Sequence, residues 1–173
     1  MQDFQKYFNK AFYPDSTFVN KDTITWIKKF NAAADSNLHK KQKTLLFVNT
    51  DWCNGGKTML KSTFNNSSVT DYIKANFHTV YMNAMSHDTV KYNGKIYVNP
   101  PQNQDFHPFL NELMGEQVML PIILFFDENM HYISILNQYV TPESLNPILH
   151  YFAEDSYRTQ KWDEYIRTHQ EKK

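Results

Sequence analysis

"KTLLFVNTDWCNGGKTML", residues 43–60, sets an apolar run of strand length against a glycine-bearing turn and an amphipathic segment, and it holds the chain's single cysteine, Cys53. Leu45 to Val48 are apolar without alternation, the pattern of a strand buried on both faces. Beyond Gly56, Met59, Leu60 and Phe64 recur at helical spacing, so Gly55 and Gly56 stand where a strand hands over to a helix. That position matters for the thiol. The unpaired N–H groups and positive end of a helix favour thiolate over thiol. Glycine at 55 and 56 keeps side chains away from the sulfur, so a partner backbone or a bulky thiol can approach. The chain holds four glycines, where an average usage of about 7% would give roughly twelve. Two of them at one turn point to a local backbone demand.

Upstream, "DTITWIKKFNAAADSNLHK" carries Ile24, Ile27, Phe30, Ala33 and Ala34 at helical spacing, and predicts a helix over 22–37 with Asp22 as cap. Downstream, "VTDYIKANF" reads as a helix and "HTVYMNAM" as a strand. Helix, strand, helix, strand is the order of a sheet with parallel crossovers. "TVKYNGKIYVN" interrupts it with a hairpin signal, Asn93-Gly94 between alternating apolar residues. "FHPFLNELMG" predicts a helix closed by Gly115. "LPIILFFDENMHYISILNQYV" predicts two strands joined by a tight turn near 128–130. Thr141 and Pro142 start a capped helix in which Pro147 should cause a kink or delay the start. "KWDEYIRTHQEKK" closes the chain as an amphipathic helix.

The 173 residues suit one domain. Hydrophobic content of 41% with a mean hydropathy of -0.63 describes a globular chain with a polar surface. Eighteen basic and eighteen acidic residues cancel, which argues against a nucleic-acid partner. No stretch approaches the roughly 18 apolar residues of a membrane span, and "MQDFQKYFNK" lacks the apolar core of a signal peptide. One cysteine excludes an intramolecular disulfide and a multi-cysteine zinc site. No serine triad, phosphate loop or paired-carboxylate constellation stands out, and no cofactor is expected.

The segments "TWIKKFNAAADSNLHKKQKTLLFVNTDWCNGGKTML" and "FHPFLNELMGEQVMLPIILFFDENMHYIS" resemble the thioredoxin-like superfamily, in particular its bacterial envelope members of the thiol:disulfide interchange type. The resemblance covers about residues 22–155; the hairpin insertion and the tail "YFAEDSYRTQKWDEYI" are also similar to parts of such proteins. It implies an α/β thioredoxin fold: a central mixed sheet of four or five strands with helices on both faces, an N-terminal helical extension over 1–21, a hairpin insertion and a C-terminal helix over about 158–173. Trp52 matches the family's tryptophan, Cys53 its attacking cysteine, Lys57 the lysine after the W-C-x-x-C motif, and Pro121 its cis-proline. Gly56 stands where the resolving cysteine should be. Phe47 stands where the family has a buried acid, six residues before the attacking cysteine, and Leu120 replaces a threonine before the proline. The resemblance also implies the bacterial cell envelope.

Two readings follow and stay open at this point. In the first, Cys53 is a monothiol nucleophile that exchanges with a protein or small-thiol partner, a disulfide oxidoreductase lacking a resolving cysteine. In the second, a redox-inactive module holds an extended peptide by strand addition, in a groove formed by Trp52, Asn54, Gly55, Gly56, Lys57, Leu120 and Pro121. His87, His107 and His131 show no ligand spacing on one helix face, so no metal site is expected and surface or capping roles are. Asp51 reads as a surface charge beside the thiol. Trp26 and Trp162 read as packing residues.

Overall fold

The computed structural model describes residues 23–115 and 117–170. The expected N-terminal helical extension and the Asp22 cap lie outside them. β1 (Lys43–Asn49) is buried at every position, as its unbroken apolar run requires. β2 (Phe77–Asn83) runs parallel to β1, with Lys43 opposite Phe77 and Asn49 opposite Asn83. β5 (Ile122–Phe126) and β6 (Tyr132–Leu136) follow antiparallel, giving the order β2-β1-β5-β6. A backbone bridge adds a fifth, minimal strand at the β2 edge, where Ile27 N–H donates to Thr79 O at 2.8 Å and Ile27 O accepts from Tyr81 N at 2.9 Å.

That bridge corrects the first predicted helix. α1 spans Phe30–His39, not 22–37, because the residues from Ile24 to Ile27 are drawn along the sheet edge. Ladder hydrogen bonds and the burial of Ile24 outweigh a short helical repeat. The turn after β1 leads into α2 (Asn54–Lys61), which ends before Phe64; that residue sits in a separate 3-10 turn at Thr63–Asn65. α3 (Ser67–Asn76) starts with Asn66 accepting from Val69 N, and passes directly into β2.

The insertion forms β3 (Val90–Tyr92) and β4 (Lys95–Tyr97) around Asn93 and Gly94, both at positive φ, as a tight hairpin turn demands. α4 (Pro108–Met114) ends at Gly115, φ 73°. α5 (Pro142–Ala153) starts at Pro142 despite Pro147, so the expected delay is not found. A 3-10 turn at Ser156–Arg158 precedes α6 (Trp162–Gln170), which starts later than the expected 158.

Alternation along β1 and β5 divides the core. Leu45, Phe47, Ile123 and Phe125 pack under α2, α3, α5 and α6, while Leu46, Val48, Ile122, Leu124 and Phe126 pack under α1, α4 and the hairpin. Helices therefore cover both faces of a four-stranded mixed sheet, and the end of β1 opens into the Cys53 turn.

Candidate functional site

Cys53 is the N-cap residue of α2, with φ -80° and ψ 103°. Its N–H donates to Thr50 O at 3.2 Å and its carbonyl accepts the first helical bond, from Lys57 N, also at 3.2 Å. Asn54, Gly55 and Gly56 thus occupy the first turn, whose N–H groups have no carbonyl before them in the helix. The thiol is half-buried and forms no disulfide. Asp51, Trp52, Asn54 and Lys57 are exposed around it.

Pro121 comes to the same place from the other side of the fold. The Leu120–Pro121 peptide bond is cis, and Pro121 is buried with its Cδ 3.3 Å from where a Cβ on Gly55 would stand. Leu120 is half-buried, and Met119 before it is 56% exposed. Of the predicted residues, Pro121 is brought against Gly55, Gly56 is buried and faces Asn49 where an open groove position was expected, and Leu120 packs partly into the core on the α4 face.

Three residues join the site that the sequence did not single out. Phe106, just before α4, stacks with Trp52 at 6.3 Å between centroids and 26° between planes, so the end of the insertion supports the exposed tryptophan. Asn49 and Thr50 are each 1% exposed at the end of β1. Asn49 Oδ1 and Thr50 Oγ1 have no hydrogen-bond partner among the described residues. A polar residue at a buried position of an apolar strand, seven residues before a glycine of the next helix, is the signal that marks Asn49.

Where the resemblance led one to expect a buried acid, Phe47 is fully buried within 4.9 Å of Phe64, 5.9 Å of Trp26 and 6.0 Å of Tyr81, ring centroid to ring centroid. The hydrophobic cage leaves a charge no solvation there. Trp26 and Trp162 both pack against aromatic neighbours. Burial, and after it the Asp51 charge, raises the Tyr81 pKa, so Asp51 acts on this ring from the surface.

The histidines separate. His107 is buried and caps α4: Nε2 donates to Asp88 O at 2.8 Å, and Nδ1 accepts from Phe109 N at 3.2 Å. His87 meets Asn99 O, and His131 meets Asp127. No group of three or more His, Cys, Asp or Glu suited to a metal occurs among the described residues. No helix among them is long and apolar enough to cross a membrane.

A cysteine capping a helix after a central strand, with a cis-proline packed against the second residue of that helix, defines a class of α/β protein by geometry. Comparison with solved structures gives the fold its name. The chain is similar to a thioredoxin-fold protein from Helicobacter pylori at 19% identity and a TM-score of 0.57, over 92% of this chain and 91% of that one. It is similar also to a structure described as DsbH oxidoreductase at 13% identity and a TM-score of 0.54, over 76% of this chain and 85% of that one. No family model and no curated relative matches it. The chain is a thioredoxin-fold protein.

Proposed function

We propose that the protein carries out monothiol thiol–disulfide exchange through Cys53, in the bacterial cell envelope. The observation that carries the reading is the convergence of a half-buried Cys53 at the α2 N-terminus with Pro121 packed against Gly55. The Cys53 thiolate attacks a disulfide of a partner. A bond forms between Cys53 Sγ and one partner sulfur, the partner's S–S bond breaks, and the second sulfur leaves as a thiolate. Trp52 and Pro121 shape the groove, and Lys57 is exposed at its edge. One of the two similar structures is itself described as an oxidoreductase, and the other comes from a bacterium. Both supports are of fold and source.

Iodoacetamide alkylation of Cys53 at neutral pH, native against urea-unfolded, tests this together with mixed-disulfide formation from oxidised glutathione. Native alkylation faster than unfolded, with a mass increase of one glutathione, is the expected result. Slower native alkylation and no adduct would sink it.

A second reading has its own observation. Trp52, itself a groove residue, is 62% exposed, and Met119, next to Leu120, is 56% exposed, an apolar border suited to an extended peptide with apolar side chains. Partner capture by Cys53→Ser equal to wild type favours this redox-inactive binding module.

A further inference from the structure

Asn49 ends β1, and the alternation of the strand sets it on the side of Leu45 and Phe47, the face that α2 covers. A Cβ built on Gly56 would overlap Oδ1, Cγ and Nδ2 of the Asn49 side chain, inside the 3.0 Å that real Cβ atoms keep. The whole carboxamide head occupies the volume into which a side chain at 56 projects. Asn has only two side-chain torsions, and at 1% exposure it has no solvent to swing into. Stability does not explain its presence, because Oδ1 is buried without a hydrogen-bond partner and an unmet acceptor costs free energy. Gly55 differs: its missing Cβ would meet only the Pro121 ring, at 3.3 Å and beyond.

We infer that Asn49 is a steric lock that keeps a second thiol out of position 56 and so leaves release of any Cys53 mixed disulfide to a thiol from outside the chain. This rests on the exchange reading of Cys53. In the release step the external thiolate attacks the partner sulfur, the bond between that sulfur and Cys53 breaks, and Cys53 leaves as a thiolate. The partner then holds the external thiol in a new disulfide, so bonds and electrons balance without a further oxidant or reductant. The lifetime of the mixed disulfide is thereby set by the concentration of that external thiol, and not by a clock within the protein.

The test introduces the thiol with and without the lock. Gly56→Cys and the double variant Asn49→Ala/Gly56→Cys are oxidised with diamide, and closure of the internal disulfide is followed by mass, as loss of two hydrogens. The double variant is expected to close at least about tenfold faster, the size of a coupling between contacting residues. Equal closure in the two overturns the lock. Gly56→Ala and Asn49→Ala/Gly56→Ala carry the same question without sulfur chemistry. The single variant should melt at lower temperature and the double should recover, whereas equal losses, or failure of both to fold, overturn the lock. Glutathione uptake by wild type is a separate readout: its failure removes the exchange reading and the dependence on an external thiol, while the closure ratio alone decides what Asn49 does.

Discussion

The two ends of β1 bury polar side chains in opposite ways. At the start of the strand, Lys43 is 4% exposed, and its Nζ reaches Glu128 Oε1 at 2.7 Å, Asp155 Oδ2 at 3.1 Å and the Ala153 carbonyl at 3.4 Å. Arg158 holds Asp155 at 2.7 Å, and the neighbouring Thr44 hydroxyl donates to Met130 Sδ at 3.4 Å. At the far end, Asn49 and Thr50 are as deeply buried, and each leaves a side-chain oxygen unpartnered. Buried polar atoms in native proteins are nearly always paired, so an exception asks for a reason. The paired end serves the fold. The unpaired end adjoins Cys53, where packing answers to the shape of the site before it answers to stability.

The largest expected effect breaks the contrast in the middle of the strand. Phe47→Asp places an acid where the thioredoxin-like resemblance led one to expect it, but here it would face the rings of Trp26, Phe64 and Tyr81. Loss of aromatic packing and burial of a carboxylate should together cost about 4 kcal/mol or more. Urea unfolding is the measurement; a loss below about 1 kcal/mol would mean that the cage admits water.

The next effect compares the ends directly. Lys43→Met keeps the stem and removes the charge, leaving Glu128 and Asp155 facing each other. Because both carboxylates are partly solvated, the cost is set below that of a fully buried pair, at about 2 kcal/mol. Asn49→Ala removes an unpaired group and should stay within about 1 kcal/mol of wild type. Burial opposes the Lys43 charge, but Glu128 and Asp155 outweigh it and raise the pKa above its usual 10.5. Burial likewise opposes the Asp155 charge, and Arg158 and Lys43 overcome it and lower that pKa. The lysine's contribution is therefore complete below pH 10.5 and lost as pH rises through the raised value; that of Asp155 is complete above pH 3.8 and lost in acid. The difference between Lys43→Met and wild type should be flat near neutrality and shrink at both extremes.

The sequence carries the Cys53 turn, both buried strands and the Asn93-Gly94 hairpin because each rests on neighbours in the chain: a hydrophobic run, a glycine pair, a turn that needs positive φ. It misplaces α1 because the competing partner of Ile27 is β2, more than fifty residues away. Pairing at a sheet edge leaves no periodic mark on a six-residue segment. Pro121 is visible as a strand-initial proline, yet its place beside Gly55 depends on closing the sheet. Asn49 is harder still, since its meaning lies in the volume it shares with Gly56, and volume is a property of two segments together. Phe106 escapes for the same reason, reading as a helix residue until Trp52 is laid on it.

The smallest effect asks whether the whole site end is loosely satisfied or only Asn49 and Thr50. Ala84 N donates to Asn49 O at 2.8 Å, and His107 N donates to Ala84 O at 2.7 Å, so His107 belongs to the same end of the sheet. Unlike Asn49 it is fully paired, and its pairs fix one neutral tautomer. The Asp88 carbonyl requires a proton on Nε2, and the Phe109 N–H requires a bare Nδ1. Burial lowers the His107 pKa from 6.5; the Asp88 contacts pull it upward and His87 adds to the lowering, with burial prevailing. The unfolded chain then takes up this proton at higher pH than the folded one. Stability from His107 is complete above pH 6.5 and is lost as pH falls through the folded value. His107→Asn retains a capping side chain, should cost about 1 kcal/mol at neutral pH, and should flatten the decline of the melting temperature between pH 6.5 and acid. An unchanged decline would assign that acid sensitivity to the carboxylates at the other end of β1, and the two ends would differ in pH response as well as in pairing.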